Sequence, residues 1–304
     1  MLVTAKCSLA IVLLCVVCRL GLSQENAIPA FDVAAVEAKA SQGDVAAMVQ
    51  MGNAYWGGHE VPADMEKGRM WLDRAADKGS LEAQMLLGAA FLSGTKMSKD
   101  PQLASKYLLR AAQQQNVASK LQSSQALAQY WIALMYEHGN GIEKSHDKAI
   151  QFLEMAANNG NYPAQYDLAS LYNDGTAGMT MDKARACELF EKAADQGHLQ
   201  AMHNAGYCYQ TGVGGKKDQN KALGYYTKAA EANSVRAQHN LGLLYGQLGQ
   251  TEKAYFWLRV ADSNGDRETK LLIETAKQHL TDSELTDTEN AVAAWLSGHK
   301  TKKE

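Results

Sequence analysis

The sequence predicts an all-α chain, a solenoid built from antiparallel helix pairs, and three observations carry that prediction. The first is spacing. Six anchor alanines (Ala47, Ala83, Ala128, Ala164, Ala201 and Ala237) recur at intervals of 36, 45, 36, 37 and 36 residues. The second is the pair of positions after each anchor. Five residues on stands Gly52, Gly88, Ala133, Ala169, Gly206 or Gly242, and three further on an aromatic, Tyr55, Phe91, Tyr136, Tyr172, Tyr209 or Tyr245. The third is a second set of columns with helical period: Gly68, Ala104, Ala149, Ala186, Ala222 and Ala254 precede a large apolar residue (Trp71, Tyr107, Phe152, Leu189, Tyr225, Trp257) and then Ala75, Ala111, Ala156, Ala193, Ala229 and Ala261. Small residues at 3.6-residue period let helices approach closely, and an aromatic fills the remaining gap. One such hairpin cannot bury both faces, so it requires copies of itself.

From the N-terminus, residues 1–23 carry one basic residue before the apolar run Leu9–Val17 and end with Gly21 and Ser23, the pattern of a cleaved secretory leader. The run is far below the ~20 residues of a membrane span. Cys15 and Cys18 lack the small preceding residue of a lipidation signal. Residues 30–43 read as a lone capping helix ending at Gly43, where glycine supplies the left-handed C-cap. Residues 44–265 hold six units. The longest interval contains the insertion QQQNVASKLQSSQ, which has no glycine or proline and is expected to lengthen helix 103–114 and the turn after it. The sixth unit is short, with GQLGQ replacing a long loop. Residues 266–304 close the end: Glu268–Leu280 reads as a solvating helix, Thr286 and Glu289 as a capping box for a helix over 287–296, and HKTKKE as a polar tail.

The repeat, A-x4-(L/A)G-x2-Y-x2-G-x-G-V-x2-D-x3-A-x2-W-x3-AA-x2-G, resembles the Sel-one-like repeat family, a branch of the tetratricopeptide-like repeats. LGLLY, EHGNGIEKSHDKA and YYTKAAEAN come close to the family pattern, and the resemblance covers residues 44–265. It implies a right-handed superhelix and a role as a protein–protein adaptor, often in bacterial envelopes. With the leader, the expectation is an exported, periplasmic or secreted bacterial scaffold that binds a protein or peptide, including cell-envelope components, on its concave groove and is not an enzyme. The alternative is binding or hydrolysis of a cell-wall or β-lactam-type ligand. Members proposed to act on β-lactams carry a cysteine pair in almost every unit, a pattern this chain lacks.

Other chemistry finds little support. Without the leader the chain has 28 Lys+Arg against 33 Asp+Glu, which argues against a broad nucleic-acid-binding field. GVGG at 212–215 lies between helices and lacks the Gly-Lys-Ser/Thr ending of a phosphate loop. There is no HExxH or GxSxG, and the one CxxC, Cys15–Cys18, lies within the leader, so no catalytic residue and no cofactor is assigned. Glu137, His138 and His146 lie near one loop but lack a further well-spaced ligand for a metal.

The groove can be read from the columns. First helices should line the concave face, and the residue two after each anchor should point into it: Val49, Met85, Tyr130, Tyr166, His203 and His239. Neighbouring columns add Trp56, Asn173, Asn204 and Asn240, the last two where peptide-binding tetratricopeptide proteins use Asn to hold a ligand backbone. These aromatics could equally be inter-helix packing. Two cysteines remain beyond the leader, Cys187 and Cys208, each about ten residues from the turn at Gly197 and His198. That symmetry would set the thiols level on facing helices. Against a bridge, Cys208 occupies a column otherwise held by Ala54, Ala90, Met135, Leu171 and Leu244, where a buried free thiol serves as a small hydrophobe.

Overall fold

The computed structural model describes residues 32–58 and 60–299. The leader, the first residues of the expected cap and the polar tail lie outside the described residues. Fifteen α-helices and one short 3₁₀ turn form the described part, with no strand among these residues, a helical-repeat solenoid. By compactness the chain divides at Ala164/Gln165 into two units.

The first unit opens with the cap α1 (Val33–Ser41), which packs on the next helix. Three pairs come after it: α2 (Val45–Gly57) with α3 (Met65–Asp77), α4 (Leu81–Ser93) with α5 (Pro101–Ala112), and α6 (Gln122–His138) with α7 (His146–Asn158). The second unit holds most of α8 (Tyr162–Asp174), then α9 (Lys183–Asp195), the pair α10 (Leu199–Thr211) and α11 (Gln219–Glu231), and the pair α12 (Val235–Gln247) and α13 (Thr251–Ser263). It ends with α14 (Lys270–Lys277) and α15 (Asp282–Gly298), both packed on α13.

Helix boundaries are set by capping. Asp64, Asp100, Ser145, Asp182 and Asp218 each accept a hydrogen bond from the first turn of the second helix of a pair, satisfying an orphan backbone N–H. The first helices α2, α4, α6 and α10 end on glycines with left-handed backbone, as at Gly212 (φ 75°), whereas α12 ends on Leu248.

The small-residue columns are steric requirements. A Cβ on Gly206 would lie 2.7 Å from the Tyr226 ring, and one on Gly52 only 2.5 Å from Leu72. In three hairpins the aromatic columns meet as stacked pairs: Phe91–Tyr107 at 5.9 Å, Tyr136–Phe152 at 5.7 Å and Tyr209–Tyr225 at 6.1 Å between centroids. A basic residue at the start of the second helix lies over the first-helix tyrosine in five repeats, from Lys67 over Tyr55 to Lys253 over Tyr245.

Adjacent repeats are joined by a buried glutamine immediately after the anchor alanine. Gln84, Gln129 and Gln238 donate to the carbonyls of Ala76, Ala112 and Ala230 in the last turn of the preceding hairpin. Their oxygens accept from Gln114, Asn159 and Asn264 at the end of their own hairpin. The side-chain amide therefore adds a donor to a helix-end carbonyl, which at Ala76 and Ala230 also accepts the N–H of Gly79 or Asn233 in the closing turn. The fifth repeat has Met202 at this place. The seam it leaves without a glutamine, between α9 and α10, is the one spanned by a Cys187–Cys208 disulfide, with Cα atoms 5.8 Å apart. Of the two states open in the sequence, the structure takes the bridge. The free-thiol argument holds in part, since Cys208 is buried, but its column faces the preceding repeat, where Cys187 stands.

Three sequence expectations are corrected. The insertion does not lengthen helix 103–114: α5 ends at Ala112, and the extra residues form a loop, the 3₁₀ turn Ser119–Leu121 and an N-terminal extension of α6. Asn116 at φ 54° breaks the helical path. The capping box of the last helix is Thr281 with Glu284, which starts α15 at Asp282, while Glu289 lies inside that helix. Nor is α14 merely solvating, because Ile273 and Ala276 bury against Tyr255 and Leu258.

Candidate functional site

In the second unit, α10 and α12 bring four sequence-predicted residues together. His203 and Asn204 stand on α10, and His239 and Asn240 on α12, one repeat later. His203, His239 and Asn240 line one open cavity of about 560 Å³, closed on its other side by Val235, Arg236 and the turn Gly265–Glu268. Gly265 has φ 100°, so the chain reverses after α13 and returns to the start of α12.

The polar groups form a defined network. The Asn240 amide donates to Nε2 of His203 at 2.9 Å, leaving Nδ1 to donate to the Asn204 carbonyl oxygen at 3.1 Å. This arrangement fits a neutral imidazole protonated on Nδ1. Burial, with Arg236 adding to it, holds the His203 pKa below its usual value. Tyr226, fully buried at 0% exposure, fixes the base of this network: its hydroxyl donates to Gln210 at 2.9 Å and accepts from Asn240 at 3.5 Å. Burial also raises the Tyr226 pKa, so the phenol stays protonated.

His239 is held by Asp266 through a 2.6 Å contact from Nδ1. The other carboxylate oxygen of Asp266 accepts the backbone N–H of Glu268 at 2.9 Å, which locks the returning turn. Arg236, Arg267 and Glu268 are exposed at the rim. One turn beyond His203 on α10, Tyr207 is half exposed, at 50%. An aromatic standing in solvent beside a polar cavity has the composition of a contact hot spot.

The remaining predicted residues fall elsewhere. Tyr166 stacks on the His198 ring at 4.4 Å and tilts against Phe190 at 5.7 Å, so its ring is engaged in packing. Asn173 is exposed and donates to Asp174. Tyr130 is half-buried in the first unit. Trp56 is a correction: it is core, at 7% exposure, with its indole N–H donating to the Met65 carbonyl. Its ring occupies the space over Gly68, where a Cβ would come within 2.2 Å. Val49 and Met85 are likewise buried. Glu137 and His146 pair at 2.6 Å, and no group of three metal-ligating side chains exists among the described residues.

The residues missed in the sequence are Arg236, Arg267 and Tyr226. The arginines lie outside the groove columns, and Arg267 reaches the cavity through a turn after the last repeat. Tyr226 carried a signal, since its column otherwise holds Leu72, Leu108, Leu153, Phe190 and Leu258, and only here adds a hydroxyl.

Comparison with known proteins accords with the repeat fold. The Sel1 repeat pattern matches six times, at residues 45–80, 81–116, 126–161, 163–198, 199–234 and 235–266. A crystal structure of a Sel1 repeat protein from Oxalobacter formigenes is 26% identical, with a TM-score of 0.54, and covers 76% of this chain and 99% of that one. The chitin synthase regulator SKT5 of Saccharomyces cerevisiae is 31% identical over 116 residues, 32% of this chain and 16% of that protein. The ERAD-associated E3 ubiquitin-protein ligase component HRD3A of Arabidopsis thaliana is 33% identical over 81 residues, 26% of this chain and 12% of that protein. The chain thus spans less than a fifth of either curated relative. Sel1 repeats are protein–protein interaction modules, and these relatives are a regulator and a ligase component, so no catalytic family is indicated.

Proposed function

The chain belongs to the Sel1 repeat family, and from that premise we propose that it is an exported, non-catalytic scaffold that holds a partner polypeptide on the face formed by α10 and α12. The observation that carries this reading is the convergence of His203, His239 and Asn240 on one open cavity, with Tyr207 exposed one turn away. Core aromatics in this fold are buried in hairpin stacks, whereas Tyr207 offers its ring to solvent. Fixed amides and imidazoles beside it suit recognition of backbone and side-chain polar groups.

Export into an oxidising compartment is supported by the leader-like residues 1–23 and by the disulfide, since such bridges persist where thiols are not kept reduced. No observation favours the cell-wall or β-lactam alternative.

Site-directed photo-crosslinking tests the assignment. A photoreactive phenylalanine at Tyr207 should give a discrete protein adduct under native conditions, and the same group at exposed Lys192 on α9 should not. Adducts from Lys192 alone would overturn the choice of face. Intact mass should place the mature N-terminus at or near Gln24, and a retained Met1 would overturn export.

A further inference from the structure

We propose that the cavity beside α12 receives an acidic side chain of the partner polypeptide, with Arg236 and Arg267 taking the carboxylate and Asn240 the adjacent backbone N–H. The proposal rests on the reading of this face as the partner-binding surface.

The first argument is the state of the arginines. Among the described residues, Arg69, Arg110 and Arg259 are ion-paired with Asp73, Asp77 and Glu289. Arg74 and Arg185 lie over the rings of Trp71 and Tyr172. Arg236 and Arg267 alone have no ion pair or ring partner among the described residues, and both line this cavity. Their planar forks match a carboxylate bidentately.

The second argument is that one of the two carboxylates lining the cavity is already engaged. Asp266 is committed to His239 and to the backbone N–H of Glu268, and the other lining carboxylate, Glu268, is exposed at the rim. The third concerns Asn240. Its amide hydrogens go to His203 and Tyr226, while its carbonyl oxygen accepts no hydrogen bond among the described residues. An acceptor beside two guanidiniums is complementary to one residue's N–H and carboxylate. The face continues along α10 to Tyr207 and Gln210, so a bound chain runs on past the carboxylate, which selects an internal acidic side chain over a chain end.

The test uses the full chain and three probes: an N-acetylated, C-amidated hexapeptide with two internal glutamates, its glutamine counterpart, and the glutamine peptide with a free terminal carboxylate. Arginine Nε–H resonances are followed by NMR during titration. The glutamate peptide should shift Arg236 and Arg267 and bind about tenfold tighter than the glutamine peptide, as expected for a charge-assisted pair. R236Q/R267Q should abolish that difference, and E268Q should enlarge it, with unchanged circular dichroism melting in both. Equal binding of the first two peptides, or a response confined to the free terminus, overturns the proposal. Persisting Tyr207 cross-links with no charge preference would leave the partner face standing and refute only its acidic specificity, whereas loss of the cross-links refutes the face itself.

Discussion

The disulfide between α9 and α10 provides the most quantitative test of how the second unit is held together. The bridged residues are 21 apart in sequence. In the chain-entropy treatment, closing a loop of that size removes about 11 cal/mol/K from the unfolded ensemble, or about 3 kcal/mol at 25 °C. The same seam lacks the glutamine that ties repeats at Gln84, Gln129 and Gln238, because Met202 stands there. The other ties across this junction, Tyr209 to Glu191 at 2.6 Å and Tyr225 to Asp195 at 2.8 Å, act only in the folded state and leave the constraint on the unfolded chain untouched, so removal of the bridge should show about that value. Urea denaturation of the oxidised wild type, the reduced wild type and C187S/C208S is the assay. With a slope of about 2 kcal/mol/M, the midpoint of the transition reporting the second unit should fall by roughly 1.5 M on reduction or replacement. Thiol labelling of the unfolded, unreduced protein should find no reactive group among these two residues. Coincident transitions before and after reduction, or two labelled thiols, would refute the reasoning.

Q129L should lose about 1–2 kcal/mol, because it leaves the buried Ala112 carbonyl with only the longer 3.4 Å bond from Gln125, while the exposed Asn159 amide turns to water; a thermal midpoint within a degree of wild type would contradict the glutamine's role. G206A should cost about 1–3 kcal/mol through overpacking against the Tyr226 ring, measured by urea denaturation, whereas a neutral result would mean that α11 shifts freely. W56A should cost about 3–5 kcal/mol of stability as a core truncation and leave Tyr207 cross-linking of the surviving folded protein unchanged. Acidification should weaken the second unit through His198, whose Nδ1 caps α10 by accepting from Ala201 at 3.1 Å and whose pKa burial holds below the usual value of 6.5. The unfolded chain protonates near pH 6.5 and the folded one only at lower pH, so stability is present above that value and falls as pH drops through the window beneath it. H198N, a cap that does not titrate, should lose less thermal stability than wild type between about pH 7.5 and about pH 5.5, and equal losses would refute the assignment.

The fold was legible because its constraints are local and repeated. A glycine or alanine is required wherever Leu72 or Tyr226 approaches the facing helix, and that need recurs at a fixed interval. The glutamine column was equally visible as Ala-Gln in four repeats, yet a glutamine reads as a surface residue until its helix-end acceptor is seen. Trp56 falls in a groove column when that column is taken alone. Gly68, in a position otherwise held by alanine, is the compensating gap that marks the indole as core. His203, Asn204, His239 and Asn240 were readable from helical period, and the structure brings them together. Arg267 was not readable, since its position depends on the direction of one turn after the last repeat. The Thr286/Glu289 spacing satisfies the same capping rule as Thr281/Glu284, and the choice falls to Tyr255 and Arg259, which take Glu289 at 2.7 Å each.

The glutamine that joins one hairpin to the one before it bonds to a backbone carbonyl, a group every helix end presents whatever its side chains. This fastening asks nothing of the neighbour's side chains, unlike the Tyr107–Asp73 and Arg110–Asp77 contacts that cross the same junction as Gln84. Such a segment is portable: a tandem duplication inherits a working junction at once, and an in-frame loss of one copy leaves the next glutamine facing an equivalent acceptor. Removal of residues 81–116 would offer Gln129 the Ala76 carbonyl in place of that of Ala112. The α9–α10 junction is the exception, since its two halves must each supply a cysteine. Growth or shrinkage of the array by whole repeats thus keeps the glutamine fastening and disturbs only side-chain pairs such as Tyr107–Asp73, whereas a change between the two cysteines would part the sulfurs.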